Sequence, residues 1–103
     1  MFSQNEIVFL KSLEEARIAT AHNNLPHVKP VSYILYENTI LIATDYSTRT
    51  LKNIMKNPNV AITIDIYKSG GHKAVLIQGI AEIIENGEDF KKIYDRYGEL
   101  TLP

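Results

Sequence analysis

The sequence of 103 residues has no cysteine, which excludes disulfides, thiol nucleophiles, cysteine-based zinc sites and iron–sulfur clusters. Neither sign of charge is in clear excess. Eleven Lys and Arg stand against twelve Asp and Glu, a formal net charge of −1, which argues against a generic nucleic-acid binder with its basic surplus. No apolar run approaches the length needed to cross a bilayer, so no membrane association is expected. The start, Met1-Phe-Ser-Gln-Asn-Glu6, lacks the basic region and apolar stretch of a secretory leader, and a cytoplasmic protein is the expectation. Nucleophile elbows, phosphate loops and dinucleotide glycine fingerprints are also missing. The three histidines, His22, His27 and His72, fall in or beside expected turns, with no helical i, i+4 pair among them, so no metal site is expected.

What is present is 45% hydrophobic and 22% charged residues, the balance of one globular domain over 1–103. A chain this short buries roughly two-thirds of its unfolded surface, a thin margin that leaves oligomer formation open.

Periodicity divides the chain into helix, three strands, helix, two strands and helix. Ser3 and Glu6 have capping-box spacing, and Ile7, Leu10 and Leu13 follow at helical intervals, predicting a helix over 3–13. A strand over 16–21 leads through the turn His22–Pro26 to a second over 27–36. Glu37-Asn38 then turns it into a third over 39–44, completing an antiparallel meander. Ser47 or Thr48 can cap a helix with Leu51, Ile54 and Met55 as its apolar stripe, stopped at Asn57-Pro58. A strand over 59–67 turns at Ser69-Gly70-Gly71 into a long strand over 73–84. Gly79 in its middle predicts a bulge, bend or close approach, so valine there is expected to disturb the strand. Asp89, Phe90, Ile93, Tyr94 and Tyr97 space out a last helix over 87–97, ended by Gly98. Hairpin-linked strands with a glycine bend favour a small antiparallel barrel of mostly β structure with helices, an α+β chain.

One cluster of residues can carry chemistry. Ser47, Thr48, Arg49 and Lys52 gather at the start of the second helix, where unpaired N–H groups and the dipole favour an anion such as phosphate. The same residues also suit a plain cap with solvated cations, and both readings stand on spacing alone. Lys29, mid-strand between Val28 and Pro30, either serves a ligand or faces solvent.

Six segments resemble, in order and spacing, the pyridoxamine 5′-phosphate oxidase-like split-barrel flavoproteins. They are Ala16-Arg-Ile-Ala-Thr20, Leu25-Pro-His-Val-Lys-Pro-Val31, Thr39-Ile-Leu-Ile-Ala-Thr44, Ser47-Thr-Arg-Thr-Leu-Lys-Asn-Ile54, Asn57-Pro-Asn-Val-Ala61 and Val75-Leu-Ile-Gln-Gly-Ile-Ala-Glu82. The resemblance covers about residues 5–97. It implies a split barrel of five to six strands flanked by three helices, a homodimer, and FMN in a groove at the dimer interface. By position, Lys29 matches a basic residue that reaches the flavin, and Pro30, Val31 and Ser32 the backbone along its ring. Ala43 and Thr44 end the strand beside the cofactor, while Thr48 and Arg49 match the phosphate-binding hydroxyl and arginine. The stretch from Ala74 to Gln78 would face the flavin held mainly by the partner subunit.

Two departures stand out. Thr50 takes a position where the family often has lysine, removing one phosphate contact that Lys52 could replace. The chain also ends at Pro103, without the family's usual last strand and without the C-terminal substrate motif of the true pyridoxamine phosphate oxidases, so the vitamin B6 activity is not expected. The leading expectation is an FMN-dependent oxidoreductase that exchanges hydride or electrons with a small-molecule substrate or electron donor. The alternative is a non-catalytic split-barrel module for haem or another small ligand, with a histidine as the haem ligand.

Overall fold

Ser3 opens the first helix as its sequence requires. Its hydroxyl accepts from the Glu6 N–H at 3.1 Å, and the Glu6 carboxylate accepts from the Ser3 N–H at 2.7 Å. The computed structural model describes residues 1–44 and 47–84, and in it this helix, α1, spans Gln4–Lys11. Its one fully buried side chain is Leu10, whose carbonyl accepts from the buried Tyr33 hydroxyl at 2.5 Å. A carbonyl left over at the helix end is thereby satisfied inside the core.

Burial pushes the Tyr33 phenol up to about 12. The folded chain thus favours the neutral phenol. This stabilisation is complete below the ordinary tyrosine value near pH 10 and is lost as pH rises through about 12. Urea unfolding followed from about pH 9 to about pH 12 is expected to lose on the order of 2 kcal/mol at the alkaline end. Tyr33→Phe should flatten that decline, and an unchanged decline would assign it to other groups.

Five antiparallel strands follow, β1 (Glu15–His22), β2 (Leu25–Tyr36), β3 (Thr39–Ile42), β4 (Asn59–Lys68) and β5 (Gly71–Ile80), in the sheet order β3-β2-β1-β4-β5. The β1–β2 turn is only Asn23-Asn24, both at positive φ (54° and 62°), the conformation of a tight two-residue hairpin. The broader turn expected from His22 to Pro26 therefore contracts, and Pro26 lies inside β2 opposite Ala21. In a two-residue hairpin the closing pair, here His22 and Leu25, is hydrogen-bonded. Pro26 and Pro30 then occupy alternate sites whose nitrogens point away from β1. β3 pairs only with 33–36, so neither missing donor breaks a ladder.

The other departures from expectation have physical causes. β3 ends at Ile42, leaving Ala43 and Thr44 beyond the strand. The final described strand runs over Gly71–Ile80 instead of 73–84, because the turn is Ser69-Gly70, with Gly70 at φ 92°, and Gly71 already pairs with Lys68. Gly79 marks no bulge or bend. It pairs with Val60 in an unbroken one-to-one ladder, and a Cβ placed on it meets no atom within 4 Å, so the expected disturbance by valine has no steric basis. The helix expected over 87–97 lies outside the described residues.

Alternation places Ala16, Ile18 and Thr20 of β1 and Ile62 and Ile64 of β4 on the inner face. They meet Leu10, Tyr33 and Ile54 to form the core. Ile54 comes from the second helix, α2 (Arg49–Lys56), which packs on β1 and β2. Its expected apolar stripe is corrected at one position: Met55 is exposed, and Thr50, Leu51, Asn53 and Ile54 face inward.

Candidate functional site

The start of α2 is built by two threonines. Thr48 is the N-cap, its hydroxyl accepting from the Leu51 N–H at 3.2 Å, while its carbonyl accepts from the Lys52 N–H at 3.1 Å. The Thr44 and Thr48 hydroxyls lie 2.9 Å apart, tying the helix start to the chain leaving β3. These bonds engage two of the first-turn donors and leave the backbone N–H groups of Arg49 and Thr50 without an intrahelical partner. The Arg49 and Lys52 side chains are exposed, and neither forms an ion pair among the described residues. Three residues apart, they share one face of the helix. The cap reading of Thr48 is therefore correct as geometry, and two exposed cations stand beside the helix start. Such an arrangement suits a phosphate, since the dipole and two amides of the first turn favour an anion and Arg49 brings a guanidinium fork to the same turn.

Thr50 is different. It is 1% exposed, on the inner side of α2, and its hydroxyl has no hydrogen-bond partner among the described residues. Its side chain lies on the side of the helix away from the exposed Arg49 and Lys52, while its backbone N–H belongs to the first turn.

The remaining candidates fall on two faces of the sheet. Lys29, opposite Ile18, is half-buried on the inner face with His27 and Val31, not turned out to solvent. Pro30 and Ser32 lie on the outer face of β2. Gln78 is exposed on the outer face of β5, opposite Ala61. Three strand spacings separate β2 from β5, roughly 14 Å, so one chain does not bring Gln78 to Lys29. Ala43 and Thr44 are exposed after β3, close to the α2 cap through the threonine pair.

Sequence spacing missed two polar clusters. Under α2, the buried Asn53 amide donates to the Thr20 hydroxyl at 3.0 Å, and Asn57 donates to the Ala21 carbonyl at 3.1 Å. On the outer face, Asp65 meets Arg17 at 3.4 Å and His72 at 3.2 Å, with the Tyr67 ring edge-on to His72. The usable signal for the first was polar Thr20 and Asn53 at inward-facing positions. For the second, the register pairing Tyr67 with His72 was needed. An open hollow of about 390 Å³ adjoins Arg17 and Asp65, lined also by Ser12, Leu13, Glu14 and Glu15. Its three carboxylates repel a phosphate, and it opens on side chains of the sheet face opposite α2, so it is no rival to the helix start.

Residues 7–101 match the family described as pyridoxamine 5′-phosphate oxidase. The chain belongs to that family. Its split-barrel fold recurs in solved structures of low sequence identity. The FAD binding protein from Mycobacterium smegmatis aligns with a TM-score of 0.78 at 24% identity, over 91% of this chain and 78% of that one. An FAD-binding protein from Mesorhizobium loti gives 0.78 at 24%, over 96% and 73%. HutZ, the haem storage protein from Vibrio cholerae, gives 0.76 at 18%, over 97% and 79%. Among curated proteins, an uncharacterized protein of Methanocaldococcus jannaschii is 32% identical over 89 residues, 85% of this chain. This member of the pyridoxamine 5′-phosphate oxidase family spans about half the length of that relative, 55%. Among the described residues no helix is long and apolar enough to cross a membrane.

Proposed function

We propose that this chain is a flavoprotein that binds FMN, with the phosphate at the start of α2 and the ring system along β2, and that it works as an oxidoreductase. The observation that carries the reading is the pair of exposed cations, Arg49 and Lys52, without an ion pair among the described residues, on a helix start held to the end of β3 by Thr44 and Thr48. Two structurally similar proteins are described as FAD-binding, and FAD contains the FMN moiety whole.

In this reading Thr48 keeps the first turn in place, while Arg49, Lys52 and the Arg49 and Thr50 amides hold the phosphate. Lys29, half-buried beside the core, offsets negative charge at the ring end, where a partly desolvated cation acts more strongly than one in water. The flavin supplies the hydride or electron exchange; the protein supplies binding, orientation and electrostatics.

The same proposal includes a homodimer. Alternation leaves the outer face of the sheet apolar in several places, with Leu76 75% and Ile80 77% exposed and Val28 similarly open. A second copy of this face would cover these residues together with Gln78, which is exposed on the same face.

Titration of FMN with the purified chain tests the reading. The expected result is saturable quenching of flavin fluorescence and a shifted visible flavin spectrum. A chain that leaves free FMN unchanged but gives a Soret band with haem would place it with haem-binding modules, the reading that similarity to HutZ favours.

A further inference from the structure

The inner side of α2 carries an unusual load for a helix resting on a hydrophobic core. Along its inward stripe Thr50 is 1% and Asn53 3% exposed, beside Leu51 and Ile54. Asn53 gives its amide to Thr20, itself buried on β1, and Asn57 at the C-cap gives its amide to the next carbonyl, Ala21. Apolar contacts tolerate a helix that slides or rolls slightly on a sheet, because dispersion and area burial are nearly direction-free. A buried amide-to-hydroxyl bond is directional, and losing its alignment leaves polar atoms unsatisfied. The two amides sit four residues apart and grip consecutive residues of β1, so they fix both the roll of α2 and its position along the strand. Arg49 lies four residues before Asn53, about one turn away on the same helix. Any roll of the helix at Asn53 is carried directly to Arg49 and to the amides of the first turn.

We infer that Asn53, through Thr20, is a positioning residue that aims the α2 start at the flavin phosphate. This rests on the phosphate placement proposed above. Asn53 touches no ligand in this role, and its effect is confined to the phosphate end of the molecule.

The test compares FMN with riboflavin, which has the same ring and ribityl chain but no phosphate. Asn53→Leu combined with Thr20→Val removes both partners of the buried bond and leaves neither unsatisfied, so the fold is retained. The expected result is a melting temperature close to that of the natural chain, unchanged riboflavin affinity, and FMN affinity reduced about tenfold as charge-assisted bonds lose alignment. Equal losses for both ligands, or no loss for either, would overturn the positioning role and leave the bond as packing only. A natural chain that binds riboflavin as tightly as FMN would instead remove the phosphate site itself, and the inference with it. If the double variant does not fold, Thr20→Ser and Thr20→Ala make the same comparison. The serine keeps the acceptor and should keep the FMN preference, the alanine should lose it, and identical preferences would overturn the inference.

Discussion

Arg49→Ala should weaken FMN binding by about 1.5–3 kcal/mol, the range for hydrogen bonds to charged groups, or roughly 10- to 150-fold in Kd. The loss is specific because Arg49 is the first helical residue, with its side chain exposed and unpaired among the described residues. Removing it empties no core position and breaks no cap, since Thr48 still accepts from the Leu51 N–H. Stability should therefore change little, and riboflavin affinity should stay where it is. Thr50→Val is the control beside it. It removes a buried hydroxyl that has no partner among the described residues, so it should leave FMN affinity unchanged and the fold as stable or slightly more stable. Fluorescence titrations of the three proteins with both ligands decide the matter. FMN affinity insensitive to Arg49 but reduced by Thr50→Val would move the phosphate from the helix surface to its inner side.

Ile64→Ala should cost about 2–5 kcal/mol of folding stability, the range for large-to-small changes in a packed core. Ile64 is fully buried in β4, next to β1 in the sheet, in the cluster formed with Leu10, Ala16, Ile18, Tyr33, Ile54 and Ile62. That cluster draws on α1, α2, β1, β2 and β4, so truncation of its fully buried member leaves a cavity inside the core. For a small domain stabilised by about 5–15 kcal/mol in total, such a loss is a large fraction. Val8→Ala, on the exposed side of α1, should cost far less. Urea unfolding of the two variants checks the ordering, and comparable small losses would mean that Ile64 is not at the centre of the core.

Much of this architecture was legible locally. The Ser3–Glu6 box, the Glu37-Asn38 turn and the Asn57-Pro58 stop each act through neighbours in sequence and appear where their chemistry points, while the turn expected over His22–Pro26 is present but contracts to Asn23-Asn24. What failed depended on partners distant in the chain. Gly79 reads as a bend until β4 is set beside it in an even ladder. Met55, expected in the apolar stripe, is exposed, and Asn53 faces inward, where Thr20, thirty-three residues away, offers it a buried hydroxyl. Lys29 turns inward because Ile18 and Val31 fix the phase of the sheet there. At the candidate site, spacing was enough to find Thr48, Arg49 and Lys52, since a helix start is a local feature. The bond from Thr44, across the undescribed residues 45–46, and the burial of Thr50 required the folded chain.

A crystal structure of the chain grown with FMN would show directly where the phosphate binds. The expected result places phosphate oxygens within hydrogen-bond distance of the Arg49 guanidinium and the backbone N–H groups of Arg49 and Thr50, with the ring system along β2 near Lys29. A phosphate bound away from the α2 start, or FMN bound with Arg49 still directed into solvent, would contradict it.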